Sequence, residues 1–186
     1  MATETLKTAS ITNLDAVPVT PNTSGEGSSG ALRSINDNVS STAGMLLAST
    51  YRMVRIPTNA KIKQLFLTCA AHGGSAAFDV DVAYSDSTSD GTQSSLTGIV
   101  QISSADNKLF GVALTAVSAL KNSDITMSGT FTSAHKNLPL WQVLVNLGTT
   151  DFTTDPKGFF DLMLKSTATD TSGGNLELMV YYVVGP

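Results

Sequence analysis

The stretch Ser49–Ala71 constrains the fold more than any other part of the sequence. Apolar and polar side chains alternate along its first half, which is typical of a β-strand. The strand must end near Pro57, because proline has no backbone N–H to donate to a neighbouring strand. Thr58-Asn59 supplies a turn, and a second alternating segment carries Leu65 and Cys69 on one face. The stretch therefore predicts two strands joined by a tight corner.

Short strand patterns repeat after this corner, separated by turns rich in Gly, Asn, Asp and Ser, and they include 96–103, 109–115 and 124–131. The clearest pattern has Asp79 and Asp81 on its polar face, and we expect both to point to solvent. One short helix is indicated over 138–147. The last two strand patterns, 160–164 and 176–182, are expected to form an antiparallel hairpin. Many short strands with almost no helix predict an all-β fold, with an antiparallel β-sandwich or jelly-roll-like body.

Residues 1–48 differ from the rest, because their apolar residues form short islands without a strand or helix period. Such a segment buries too little apolar surface to offset its ordering entropy, so we expect it to be mobile in isolation. The islands are nevertheless too apolar for a solvated tail, which favours ordering against a partner surface. We predict an extended N-terminal arm over 1–48 and a β-sandwich domain over 49–186. The arm residues expected to make contacts are Ile11, Leu14, Val17, Leu32, Ile35, Met45, Leu46 and Leu47.

The charge composition argues against nucleic acid as a partner. Charged residues are 14% of the chain, and the net charge is −4. The 11 lysine and arginine residues are scattered, and the densest pairs are Arg52/Arg55 and Lys61/Lys63. A protein that binds a duplex needs clustered Lys and Arg to release counterions from phosphates. We expect these pairs to lie on solvated strand faces instead.

Cysteine usage and apolar run lengths limit other classes of protein. Cys69 is the single cysteine, so no disulfide can form within the chain, and we expect Cys69 to be a small buried apolar residue. No basic and apolar segment typical of a signal peptide is visible. No apolar run approaches the roughly 18 residues of a membrane span. These features predict no membrane partner and synthesis in a reducing cytoplasm.

No group of residues predicts catalysis or a cofactor. Gly25–Gly30 has the spacing of a dinucleotide-binding loop but lacks the flanking strand and helix, so it is interpreted as a flexible linker. Asp86–Gly91 imitates the start of a calcium loop, yet Thr97 stands where a bidentate carboxylate is needed. We expect His72 and His135 to be surface residues. The sequence thus predicts no enzyme, no cofactor and no metal.

Several segments resemble small structural proteins of tailed bacteriophages. They are TASITNLDAVPVTPNTSGEG, STYRMVRIPTNAKIKQLFL, AAFDVDVAY, and LPLWQVL followed by GFFDLMLKSTATDTSGGNLELMVYYV. The chain is similar to head decoration, or cement, proteins, which accompany the major capsid protein. The resemblance implies a jelly-roll-like body with an extended arm that forms a homo-oligomer, namely a trimer. It also implies binding to the major capsid protein on the outer surface of the virion, after synthesis in the host bacterial cytoplasm, and it brings no catalytic residues.

A second interpretation is a different virion component. A head-fibre base or a tail protein would carry a receptor-binding or carbohydrate-binding face. Exposed aromatic residues in a groove would favour this alternative. Aromatic residues are 6% of the chain, which argues against it.

Overall fold

A computed structural model describes residues 5–18, 32–41, 46–84, 108–148, 152–169 and 172–184. Within these ranges the chain forms strands, two short α-helices and a 3-10 helix at Ser133–Asn137. The strands and α-helices are β1 (Thr5–Lys7), α1 (Ala9–Asp15), β2 (Leu32–Ser41), β3 (Thr50–Pro57), β4 (Ala60–Cys69), β5 (Ala77–Tyr84), β6 (Gly111–Thr115), β7 (Leu120–Asp124), α2 (Leu140–Asn146), β8 (Phe159–Ser166) and β9 (Gly174–Val184).

The strands form two sheets that pack face to face. One sheet has the order β1-β3-β8-β5-β6, and the other has the order β2-β9-β4-β7. The paired strands run antiparallel apart from β1 and β3, which are parallel. The predicted fold class, an antiparallel β-sandwich with a jelly-roll-like body, is confirmed.

The core lies between the two sheets and follows from the alternation along each strand. In β9 the buried residues are Leu176, Leu178, Val180 and Tyr182, and the residues between them face outward. Two-residue periodicity places these four side chains on one face, opposite the apolar faces of β3, β5 and β8. Cys69 at the end of β4 is buried in the same core, as predicted.

The corner at Pro57-Thr58-Asn59 carries the chain from one sheet to the other, because β3 and β4 belong to different sheets. Thr58 anchors it with three hydrogen bonds. Its backbone N–H donates to the carbonyl of Gly158 at 3.0 Å, and its hydroxyl donates to Asp155 Oδ1 at 2.5 Å. Its carbonyl accepts from the backbone N–H of Trp141 at 3.1 Å, near the start of α2. The predicted corner and helix are both confirmed.

Part of the N-terminal region belongs to the sandwich itself. β2 pairs with β9 along its whole length, from Leu32 opposite Val183 to Ser41 opposite Gly174. The pattern of β2 is weakly apolar because the strand lies at a sheet edge, where Ile35 and Val39 are only half-buried. The division of the chain near residue 48 stays a prediction.

Two strand expectations were wrong. β8 and β9 do not form a hairpin, because β8 pairs with β3 and β5 while β9 pairs with β2 and β4. Periodicity identifies a strand but not its partner, and the residues between Ser166 and Gly174 cross from one sheet to the other. A strand expected over 124–131 is instead the end of β7 followed by a turn. The strand expected over 96–103 lies outside the described residues.

Candidate functional site

A buried ionic cluster connects β3 with β8. Arg52 and Arg55 extend from β3 toward Asp161 on β8. The Asp161 side chain has no exposed surface. Arg52 Nε donates to Asp161 Oδ2 at 2.7 Å, and Arg55 Nε donates to Asp161 Oδ1 at 2.8 Å. Arg55 Nη2 donates to Oδ2 at 3.2 Å, and Arg52 Nη2 contacts the same oxygen. Both arginines were expected on solvated faces, and the structure shows that this expectation was wrong.

A β-bulge explains why sequence reasoning misplaced these arginines. Strict alternation assigns Arg52 and Arg55 to opposite faces of β3. The register with β8 shifts between Arg52 and Val54, which inserts one extra residue. Beyond the bulge, Arg52 and Arg55 share the face that points away from the core, where Asp161 also lies.

The helix α1 packs against this cluster through Asp15, its last residue. Arg55 Nη2 lies 2.8 Å from Asp15 Oδ1, and Arg52 Nη1 lies 3.6 Å from Oδ2. Lys7 Nζ donates to Oδ2 at 2.7 Å. A carboxylate at a helix C-terminus faces the negative end of the helix dipole, so these three cations compensate for an unfavourable position. The cluster therefore fastens the N-terminal segment to the sandwich.

Backbone contacts reinforce that attachment. The Thr8 N–H donates to the carbonyl of Arg52 at 3.0 Å, and the Thr8 hydroxyl donates to the carbonyl of Met53 at 2.6 Å. Met53 is the residue at the bulge, where regular strand pairing is interrupted. Ile11 of α1 is fully buried. The segment Thr5–Asp15 is thus held by strand pairing, by an apolar side chain and by charge.

The electrostatics of the cluster favour the charged form of Arg55. Burial alone lowers the pKa of the Arg55 guanidinium. The hydrogen bond with Asp161 and the negative charges of Asp161 and Asp15 outweigh burial, so the pKa of Arg55 is raised overall. Charged groups out of water are tolerated when each is paired and hydrogen-bonded. The groups of this cluster are engaged with one another, which suits a structural role.

Three further polar residues were expected at the surface and are buried instead. Asp79 Oδ1 accepts from the backbone N–H of Ala113 at 2.7 Å, which connects β5 with β6. Asp81 Oδ1 accepts from the N–H of Val82 at 2.8 Å. His72 lies edge-on to the ring of Phe78, with centroids 5.6 Å apart. Neighbouring chain segments cover these positions, and a single strand's alternation does not reveal such cover.

The predicted contact residues occupy different environments. Val17 is 84% exposed, Leu32 is 62% exposed and Leu47 is 59% exposed, the highest values among the large apolar residues that the structure describes. Ile11 is buried within its own chain, and Leu46 and Ile35 are half-buried. Met45 and the side chain of Leu14 lie outside the described residues. The role of this set in contacts between chains stays a prediction.

Sequence reasoning missed other exposed apolar residues. Val112, Val117, Met127 and Phe159 are each between 44% and 54% exposed. Phe159 precedes the buried Phe160, so alternation along β8 could have assigned it to the outer face. The other three follow glycine, alanine or threonine in short turns and edge strands, where the sequence offers no comparable signal.

Metal-binding chemistry finds no support in the described ranges, where no group of three or more His, Cys, Asp or Glu side chains is placed to hold an ion. Of the helices described, none combines the length and apolarity required to cross a membrane.

Comparison with solved structures matches this chain with chains of two phage capsids. A chain of the capsid of Ralstonia phage GP4 matches with a TM-score of 0.62 and 12% identity, over 98% of this chain and 99% of that chain. A chain of the cyanophage Pam1 capsid asymmetric unit matches with a TM-score of 0.41 and 11% identity, over 91% and 96% of the two chains. No protein-family model and no curated protein sequence matches this chain. The chain therefore shares its fold, over nearly its whole length, with a chain of the Ralstonia phage GP4 capsid.

Proposed function

We propose that this protein is a structural component of a bacteriophage virion that decorates and stabilises the capsid. The observation that carries the proposal is the whole-length similarity of fold to a chain of the Ralstonia phage GP4 capsid. The match covers 98% of this chain and 99% of the other chain, so the similarity is not confined to one part of either chain. The resemblance of the sequence to head decoration proteins supports the same role.

Its partners are the major capsid protein and other copies of itself. The exposed side chains of Val17, Leu32 and Leu47 provide apolar surface for such contacts. Burying one side chain of this kind stabilises a contact by about 1.5–3 kcal/mol. A lattice multiplies weak contacts through effective concentration, so a few of them per copy suffice. We place the protein on the outer surface of the capsid as a homotrimer.

The proposed role is not enzymatic. The buried side chains of Arg52 and Arg55 both bond to the buried Asp161 and fasten elements of the fold. Asp79 and Asp155 likewise accept hydrogen bonds that hold β6 and the corner after β3. These groups therefore support a stable scaffold.

Binding to purified shells that lack the protein tests this proposal. Val17→Asp and Leu47→Asp introduce a charge at predicted contact positions that are exposed, so the fold should be retained. We expect each variant to bind shells at least ten-fold more weakly, as 1.4 kcal/mol corresponds to about a factor of ten. Val117→Asp is the matched control, because Val117 is exposed but lies outside the predicted contact set.

Deleting the first 44 residues is a poorer test than point substitution. The deletion removes β2, which pairs with β9 over its whole length, and would disturb the sandwich itself. Failure of the unmodified protein to bind shells would sink the decoration role. Equal binding by all three substituted proteins would sink the role of Val17 and Leu47 while leaving the decoration role in place.

A further inference from the structure

β2 is a long, regular strand at the edge of its sheet. β2 lies at the edge of its sheet, and no described strand pairs with its outer side. It is 10 residues long and pairs with β9 without a register shift. α1 and β3 contact β2 but cover little of it, because Ser41 at its end is the one residue of the strand that is buried. The rest of the strand is exposed or half-buried.

The other described edges differ from β2. β1 has 3 residues. β6 has 5 residues, a positive φ of 44° at Ala113 and a register shift against β5. β7 has 5 residues, a positive φ of 47° at Asn122 and a register shift against β4. Short and irregular edges hinder pairing with a further strand, whereas a long regular edge favours it. β2 contains no positive φ, no proline and no lysine.

We propose that β2 pairs antiparallel with β2 of a second copy, centred on Ile35. Arg33, Ile35 and Asp37 lie on one face of the strand, because side chains alternate along it. In this register Ile35 stands opposite Ile35 of the second copy, and Arg33 stands opposite Asp37 of the second copy. The twofold symmetry repeats the charge pair on the other side.

Cross-strand pairs of opposite charge and of apolar residues stabilise sheets, and like charges placed opposite destabilise them. A register centred on Asp37 would set two carboxylates against each other, and one centred on Arg33 would set two guanidinium groups against each other. The charges of the strand favour the register centred on Ile35, because it is the antiparallel register in which Arg33 and Asp37 stand opposite each other. In that register residues 32–38 of each copy pair, and the end of β2 that includes Ser41 is left outside the contact.

This contact rests on the proposed function and deepens it by naming one surface through which copies join. A twofold contact pairs two copies and cannot by itself close a trimer, which needs a head-to-tail contact. Pairing through β2 therefore connects copies that belong to neighbouring trimers. The two four-stranded sheets become one continuous sheet across the contact.

Charge exchange tests the register in solution by sedimentation velocity across the micromolar range. We expect the unmodified protein to self-associate. Arg33→Asp alone or Asp37→Arg alone should weaken association on the order of ten-fold, because each substitution sets two residues of like charge opposite each other at both symmetry-related pairs. An equal mixture of the two variants restores opposite charges at both pairs and should associate like the unmodified protein. The double variant Arg33→Asp/Asp37→Arg should do the same.

Disulfide trapping tests the centre of the contact. Ile35→Cys should form a crosslinked dimer under mild oxidation, because the two residues face each other. Ser40→Cys on the same strand is the control, since two copies of residue 40 would lie about 33 Å apart in this register. Cys69 is buried and stays unchanged in both variants.

Three results would overturn the inference: an unmodified protein that is monomeric throughout this range, charge variants that fail to complement each other, or crosslinking of Ser40→Cys as efficient as that of Ile35→Cys. Shell binding separates this contact from the proposed function. Any of these results from a protein that still binds shells would sink only the β2 contact. Association through β2 in a protein that fails to bind shells would sink the decoration role.

Discussion

Asp161→Asn should destabilise the fold strongly while keeping the shape of the side chain. Asp161 accepts hydrogen bonds from both Arg52 and Arg55, with donor–acceptor distances of 2.7, 2.8 and 3.2 Å. The amide removes the negative charge and leaves two buried guanidinium groups with Asp15 as their remaining carboxylate partner among the described residues. Removing one partner of a buried ion pair costs about 3–5 kcal/mol.

That cost is a large fraction of the roughly 5–15 kcal/mol by which a protein of this kind is stable. With about 2–4 °C of Tm per kcal/mol for a chain of this size, it corresponds to a decrease in Tm of about 6–20 °C. Urea denaturation followed by circular dichroism measures the free energy of unfolding directly. Thermal melting provides the second reading.

Two variants calibrate the Asp161 result. Glu177→Gln disturbs the exposed hydrogen bond from Asn36 Nδ2 to Glu177 Oε1 at 2.8 Å and should change stability by about 0.5 kcal/mol or less. Asp15→Asn should cost about 1–3 kcal/mol, because Asp161 still faces the arginines after that change. An Asp161→Asn variant as stable as Glu177→Gln would refute the view that the cluster is a buried, charge-compensated unit.

Three further outcomes are expected. Ile56→Asp places a charge in the core and should unfold the body, whereas Leu14→Asp should weaken shell binding without unfolding; thermal melting of both variants distinguishes them. Burial raises the pKa of the Cys69 thiol and outweighs a smaller lowering by its backbone hydrogen bond with Leu120. A thiol reagent at neutral pH should therefore label Cys69 slowly until urea unfolds the chain. Rapid labelling of the folded protein would contradict the burial of Cys69. Hydrogen bonds from Thr126 lower the pKa of Asp124 in the folded protein. The ionised Asp124 carboxylate therefore stabilises the fold above its unfolded pKa of about 3.9, and this stabilisation is lost as the pH falls through the lower folded pKa. The stability difference between the unmodified protein and Asp124→Asn should therefore shrink on acidification, and urea titrations at several pH values measure it.

Alternation predicted much of the fold, because it reports directly on which side chains face a core. It identified β3, β4, β5, β8 and β9, and proline and asparagine identified the corner between β3 and β4. It did not identify pairing partners, since β8 and β9 have compatible patterns but lie in different sheets. It also missed β2, because an edge strand with polar residues on its outer face has a weak apolar pattern.

The ionic cluster could not be predicted for a different reason. Arg52 and Arg55 are three residues apart, and only the bulge near Met53 places them on one face. No local sequence signal marks that bulge. The partners Asp15 and Asp161 lie far away in the chain, so their proximity depends on the complete fold. Val17 and Leu47 were predicted from their position in apolar islands, and both are exposed.

The position of β9 has a consequence for how the protein is made. β9 lies between β2 and β4, and it follows every other described strand in the sequence. Leu32 pairs with Val183, so this sheet cannot close until the ribosome has synthesised almost all of the described chain. Contacts between distant residues slow folding, because a long loop must close before any pairing stabilises it. Until β9 emerges, β2 and β4 both present unpaired edges to other nascent copies. We therefore expect the tendency of the nascent chain to aggregate to fall once Gly174–Val184 has been translated and β9 can pair with β2 and β4.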